Sequence, residues 1–155
     1  MARFARLVVP NYPHYITQRE VRSMDIFADD QNRVTYLRIM AEENERSGMT
    51  FLFWCLMINH VHLIAVHENE ESLARTIGEA HRCYIRMKNF SEKVRDYLFQ
   101  CVLDQLHLLA AGRYVERNTI AVGMVELPAD YSWSSAGCRC GRVNHDSLLQ
   151  ERRDR

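Results

Sequence analysis

The chain has 155 residues, 47% of them apolar and 26% charged, which suits one folded domain with a core of its own and argues against disorder. Its 20 basic residues balance 20 acidic ones, so bulk charge gives no general attraction to nucleic acid, although a basic face can exist within a neutral total. No apolar run approaches the ~18 residues of a membrane span, no signal peptide is read at the N-terminus, and five cysteines without a Cys-x-x-Cys point to a reducing cytoplasm rather than a disulfide framework.

The elements follow from the pattern. His14–Gln18 comes after Pro13 and is rich in β formers, which predicts a first strand. Asp29 and Asp30 supply capping carboxylates for a helix to about Ser47; Val34, Leu37 and Met40 form its stripe and Gly48 its stop. Met49–Met57 predicts a second strand. Ile58-Asn59 is a short connection, and His60–His67 returns as the other arm of a hairpin. Glu70-Glu71-Ser72 opens a second long helix that ends near Asn89, with Leu73, Ile77, Ala80 and Tyr84 at helical spacing. Tyr97–Leu103 predicts a fourth strand, and Asp104 caps a third helix that runs through Tyr114 to about Asn118. The order β-α-β-β-α-β-α is a split βαβ arrangement. It predicts an α+β domain with an antiparallel sheet, helices on one face, an open second face and an extra C-terminal helix. The domain is expected to span residues 1–140, with 141–155 a flexible tail.

Two places carry chemistry. Alternate residues of a strand share a face, so His60 and His62 stand side by side in an otherwise apolar run. Neighbouring imidazoles can ligate a divalent cation; they can equally be satisfied histidines of a half-buried strand. In Arg113-Tyr-Val-Glu-Arg-Asn118, Tyr114 and Asn118 are four apart and share a helix face. A phenol nucleophile and an amide oxygen would project together there, with Asn118 a third metal ligand. Arg75, Arg82, Arg86, Lys88, Lys93 and Arg95 concentrate positive charge along one stretch, and Arg113 and Arg117 follow. Arg82, Arg86, Lys88, Arg113 and Arg117 are the candidate DNA contacts. Taken together, these are the parts of a metal-assisted phosphoryl transfer with a tyrosine nucleophile. Tyr84, a second tyrosine on a basic helix, is read as packing or a DNA-backbone contact. Trp133 is read as a core anchor closing the C-terminal segment, with base stacking as the alternative. His67, His81, His107 and His145 are assigned to packing or the surface.

The stretches MARFARLVVPNYPHYITQR, CLMINHVHLIAV, EESLARTIGEAHRCYIRMKNF, LLAAGRYVERN and LPADYSWSSA, in this order, resemble the REP-associated (IS200-like) tyrosine transposases of the HUH single-strand DNA transposase superfamily. The resemblance covers about Met1 to Gly137. It implies a ferredoxin-like α+β domain that cleaves and rejoins single-stranded DNA near hairpins through a 5′-phosphotyrosine. Tyr114 would be the nucleophile, with His60, His62 and Asn118 around Mg²⁺ or Mn²⁺. It implies a bacterial, nucleoid-associated protein with no membrane partner, acting as a monomer or as a homodimer that exchanges the tyrosine helix. The chain departs from the family pattern at Ile58 and Thr119, where proline is usual, and at Glu20-Val21, where Gly-Asn is usual. It also lacks a few residues between Gln100 and Cys101. That shortening is expected to cut strand four or its loop and to shift the Tyr114 helix relative to the histidines. The alternative reading is therefore a decayed or domesticated relative that binds DNA hairpins without cleaving them. A third is an interaction protein that dimerises through an open sheet face.

Overall fold

The computed structural model describes residues 9–20, 24–92, 99–104 and 108–149. Its elements are β1 (Pro13–Glu20), α1 (Asp30–Ser47), β2 (Thr50–Leu56), β3 (His60–Val66), α2 (Glu70–Glu92), β4 (Phe99–Asp104) and α3 (Leu108–Ala121). A 3₁₀ turn (Pro128–Asp130) and the short α4 (Ala136–Arg139) follow. The strands form one antiparallel sheet in the order β2-β3-β1-β4. This is the ferredoxin-like split βαβ topology expected from the element order.

Local chemistry sets the boundaries. Asp29 is extended, and its carboxylate accepts the Asn32 amide at 2.8 Å, which satisfies one orphan donor of α1. Gly48 closes the helix in the left-handed region at φ 70° and donates to Asn44 O at 2.9 Å. Asn69 does the work of an N-cap for α2, accepting the Ser72 amide at 2.9 Å. One expectation changes at Asp104, expected as the cap of the third helix. It is the last residue of β4, in register with Tyr15, and α3 begins at Leu108. The two predicted strand residues before Phe99 lie outside the described residues.

Both faces of the sheet are covered. On one, Ile16, Val61, Leu63 and Ala65 meet Tyr36, Leu37 and Met40 of α1 and Leu73, Ile77, Ala80 and Tyr84 of α2. On the other, Cys55 and Ile64 meet Ala111 and Val115 of α3, together with Tyr131. The second face is therefore roofed in part by α3 rather than open. This also explains why β3 does not alternate apolar and polar: its five central residues are all buried.

The C-terminal segment closes the β2 edge. Ser134 bridges to Cys55 and Leu149 to Phe51. Trp54 Nε1 donates to Asp146 at 2.9 Å, and Leu148 is buried. The stretch expected as a loose tail from about Gly141 thus packs on the body as far as Leu149, and an exposed edge is avoided. Trp133 is the anchor expected of it, packed on the main core with the Arg33 guanidinium 5.7 Å from its ring.

His81, expected to be a packing or surface residue, is buried between the helices, with Nε2 2.7 Å from Tyr36 Oη. Burial pushes its imidazole down to about 3. In the unfolded chain it titrates near its ordinary 6.5, so below that pH the unfolded state takes up a proton that the folded state refuses. Stability is then lost as pH falls, by ~1.4 kcal/mol per unit, or about 2 kcal/mol at this residue by pH 5. Urea unfolding between pH 7 and 5 should show at least that slope, since His62 is depressed as well, and a smaller one in His81→Gln. An equally steep profile in the variant would contradict the assignment.

Candidate active site

The α3 face of the sheet brings the sequence-predicted pieces together. His60 and His62 point to it from β3, with ring centroids 4.7 Å apart and planes nearly perpendicular. From α3, Asn118 places its amide nitrogen 2.7 Å from His62 Nε2. Tyr114 stands one turn earlier, its ring centroid 5.9 Å from that of His62 and edge-on to it. Tyr114 is 56% exposed while His62 is 3% exposed, so the phenol faces solvent at the rim of a buried imidazole. The shift of α3 away from the histidines that was expected from the sequence is not seen, since Tyr114 and Asn118 both reach His62. β4 still pairs with β1 from Glu20↔Phe99 to Tyr15↔Asp104.

Two contacts seat α3. Gly112 lies so close to β2 that a Cβ there would fall 2.5 Å from Phe53 Cζ, and the Phe53 ring is itself covered by the Arg139 guanidinium at 3.7 Å. One turn on, Ser135 Oγ donates to Glu116 Oε1 at 3.0 Å, and Arg139 Nε lies 3.4 Å from the same oxygen. Burial raises the Glu116 carboxyl above its usual range, against the Ser135 hydrogen bond and Arg139. Gly112→Val should lift α3 from the sheet at a cost of about 1–3 kcal/mol. A thermal melt would read that loss; wild-type stability and an unchanged Tyr114 environment in the variant would show that the close approach does not matter.

The electrostatics favour neutral imidazoles. Burial, and then the Arg19 charge, hold His60 below its ordinary value. Burial, His60 and Arg19 push His62 down to about 3. Cys55 pairs with His62 across the sheet, but burial pushes its thiol up to about 12, and its Sγ lies 3.7 Å from Met57 Sδ. It belongs to the core. Among the described residues no three His, Cys, Asp or Glu side chains cluster as a metal site. The donors that could hold a cation are His60, His62 and the Asn118 amide oxygen. Two neutral nitrogens and one oxygen fit a divalent ion that takes its remaining ligands from water or phosphate.

The candidate DNA contacts divide. Arg113 and Arg117 are exposed beside Tyr114, and with Asn118 they line a cleft of about 420 Å³ along α3. Arg82 and Arg86 are exposed on α2, whose packing face meets the opposite side of the sheet from His62. Arg82 pairs with Glu79 at 3.1 Å. Lys88 is corrected outright. It is buried, and its Nζ donates to Asp25 O at 2.7 Å and Ile26 O at 2.5 Å. Tyr84 is likewise structural, with Oη 2.8 Å from Ile26 O. These α2 side chains hold a loop whose Ile26 and Phe27 amides donate to Ile58 O at 2.8 and 3.1 Å, steadying the turn before His60.

Three site residues were missed from sequence. Tyr15 Oη lies 2.6 Å from His62 Nδ1, Asn59 Oδ1 lies 2.6 Å from His60 Nδ1, and Arg19 sits opposite His60 in register. Asn59 was visible as the neighbour of His60. Tyr15 and Arg19 needed the β1–β3 pairing, which no local pattern supplies.

A ferredoxin-like sheet with a His pair under a helix that carries Tyr and Asn defines the class of fold in which the chain can be compared. The full chain matches the structure of a REP-associated tyrosine transposase bound to a REP hairpin, with a TM-score of 0.73 at 11% identity, covering 94% of that protein. It also matches a protein of Deinococcus radiodurans R1, provisionally described as a transposase, with a TM-score of 0.51 at 9% identity over 80% of this chain and 98% of that one. The chain therefore has the REP-associated transposase fold. Neither a protein-family model nor a curated protein sequence matches it. Among the described residues no helix is long and apolar enough to cross a membrane.

Proposed function

We propose that the protein is a transposase or nickase-ligase that cleaves and rejoins single-stranded DNA near hairpins through Tyr114. The observation that carries this reading is the approach of the exposed Tyr114 ring to the buried His62 within one chain, with Asn118 on His62 Nε2. The hairpin-bound transposase of the same fold supports the class of ligand.

The chain's own groups divide the work. Arg113, Arg117 and Arg19 make no ion pair with a described residue and are available to orient phosphates. The Tyr114 phenol gives its proton to solvent, and its oxygen attacks phosphorus. The P–O3′ bond breaks as the O–P bond to tyrosine forms. The 3′-oxygen leaves with the bonding pair and takes a proton, and the 5′ end remains as a phosphotyrosine ester. A later 3′-hydroxyl reverses the step, because the ester retains the energy of the original link. A divalent cation such as Mg²⁺ or Mn²⁺, held by His60, His62 and Asn118, would supply charge neutralisation on the phosphate and the departing oxygen.

The test is incubation of the full chain with a broad library of labelled single-stranded hairpins and Mn²⁺, followed by denaturing electrophoresis. A covalent protein–DNA band that disappears with chelator is expected. Hairpin binding with no such band for any library member, in folded protein, would overturn the enzymatic reading in favour of a hairpin-binding module.

A further inference from the structure

We infer that Tyr15 is a positioning residue of this site: its phenol oxygen receives the Nδ1 proton of His62 and so fixes the tautomer that turns the Nε2 lone pair toward Asn118. The inference rests on the proposed role of His60, His62 and Asn118 as a cation site, and it concerns what keeps those ligands ready.

Tyr15 lies on β1 in register with Ile64, one diagonal step from His62 on the same face of the sheet. Its oxygen is 2.6 Å from Nδ1, and the two rings stack with planes 10° apart. A neutral imidazole has one N–H and one lone pair, and its neighbours decide which nitrogen holds which. The Asn118 amide nitrogen, 2.7 Å from Nε2, has only hydrogens to offer. Nε2 must therefore present the lone pair, and the proton sits on Nδ1. A phenol oxygen can donate or accept, so Tyr15 accepts here. A ligand nitrogen has to arrive unprotonated, and an outer oxygen on the other ring nitrogen is how histidine ligands are commonly held in that state.

The second histidine repeats the pattern from a different element. His60 Nδ1 is 2.6 Å from Asn59 Oδ1, a carbonyl oxygen that only accepts, so His60 also carries its proton on Nδ1. Two imidazoles thus hold the same tautomer through two unrelated anchors, one on β1 and one in the β2–β3 turn. Packing alone gives no reason for that agreement; a shared ligand on the Nε2 side does. Tyr15 adds a second link, since its ring meets Tyr114 edge-on at 6.2 Å. Tyr15→Phe keeps both ring contacts and removes only the oxygen.

The experiment uses full-length protein with ¹⁵N-labelled histidine, free of metal, at neutral pH. Long-range ¹H–¹⁵N correlation reads the protonated nitrogen of each ring. His62 is expected as the Nδ1–H tautomer in the wild type and as a mixture or the Nε2–H form in Tyr15→Phe, with the His81 signals unmoved. Titration with Mn²⁺ alone should then show about 10–100-fold weaker binding in the variant. Hairpin binding in chelator should be unchanged, and the adduct rate should be regained at saturating Mn²⁺. An Nε2–H His62 in the wild type overturns the inference without need of any variant, as does a variant with wild-type tautomer and Mn²⁺ affinity. A wild type that forms no Tyr114 adduct, yet shows the tautomer and affinity changes on Tyr15→Phe, overturns the proposed reaction and leaves this inference standing.

Discussion

Tyr114→Phe is expected to abolish covalent adduct formation, by at least about 10³-fold, while fold, hairpin affinity and Mn²⁺ binding remain. The separation follows from where the hydroxyl is. The side chain is more than half exposed at the rim of the site, so removing an exposed oxygen should change stability by no more than about 0.5 kcal/mol. The ring that Tyr15 and His62 contact is retained. Rate and stability should therefore part company in this variant, as they would not if Tyr114 were only an edge residue of α3. Single-turnover gels, a thermal melt and a hairpin titration check the three quantities together. A variant with wild-type adduct yield would move the nucleophile elsewhere, and Tyr15 would be the first residue to test.

The second large effect is at the histidines. His62→Ala should lose Mn²⁺ binding and adduct formation by more than the ~10–100-fold that loss of an outer anchor costs. It also removes a buried ring on which the Tyr15 phenol and the Asn118 amide both depend, so a stability loss of about 1–3 kcal/mol accompanies it. His60→Ala separates the two effects. His60 is less buried, and its hydrogen-bond partner is the neighbouring Asn59, so Mn²⁺ affinity should fall with a smaller change in melting temperature. Calorimetric Mn²⁺ titration beside thermal melts distinguishes a ligand from a structural histidine. Unchanged affinity in His60→Ala would favour the structural role.

Much of this was legible in the sequence because local chemistry determined it. Asp29 opens α1 with a capping carboxylate, and Gly48 closes it because it adopts the left-handed region without a Cβ clash. The i, i+2 and i, i+4 spacings placed His60 with His62 and Tyr114 with Asn118, and the element order gave the sheet topology. What failed was non-local. Lys88 reads as one cation among many on a basic helix, and only the position of the 25–27 loop shows that its ammonium is consumed by two carbonyls. Asp104 has the chemistry of a cap, but its backbone is used by the ladder with β1. The segment after Gly141 has loop composition, yet Asp146 finds the indole of Trp54 across 92 positions of sequence. The missing residues after Gln100 were expected to pull α3 out of place. The seat of α3 is instead set by Gly112 on Phe53 and by Glu116 with Ser135 and Arg139, none of which lies in the shortened segment.

The most direct test of the central claim is peptide mapping of the covalent adduct formed with a labelled hairpin and Mn²⁺. Trypsin cuts after Arg113 and Arg117, which isolates Tyr114-Val-Glu-Arg117. The account predicts that the nucleotide mass is carried by this tetrapeptide, as a 5′-phosphotyrosine. An adduct on the peptide containing Tyr15 or Tyr84, or no adduct on any tyrosine, would contradict it.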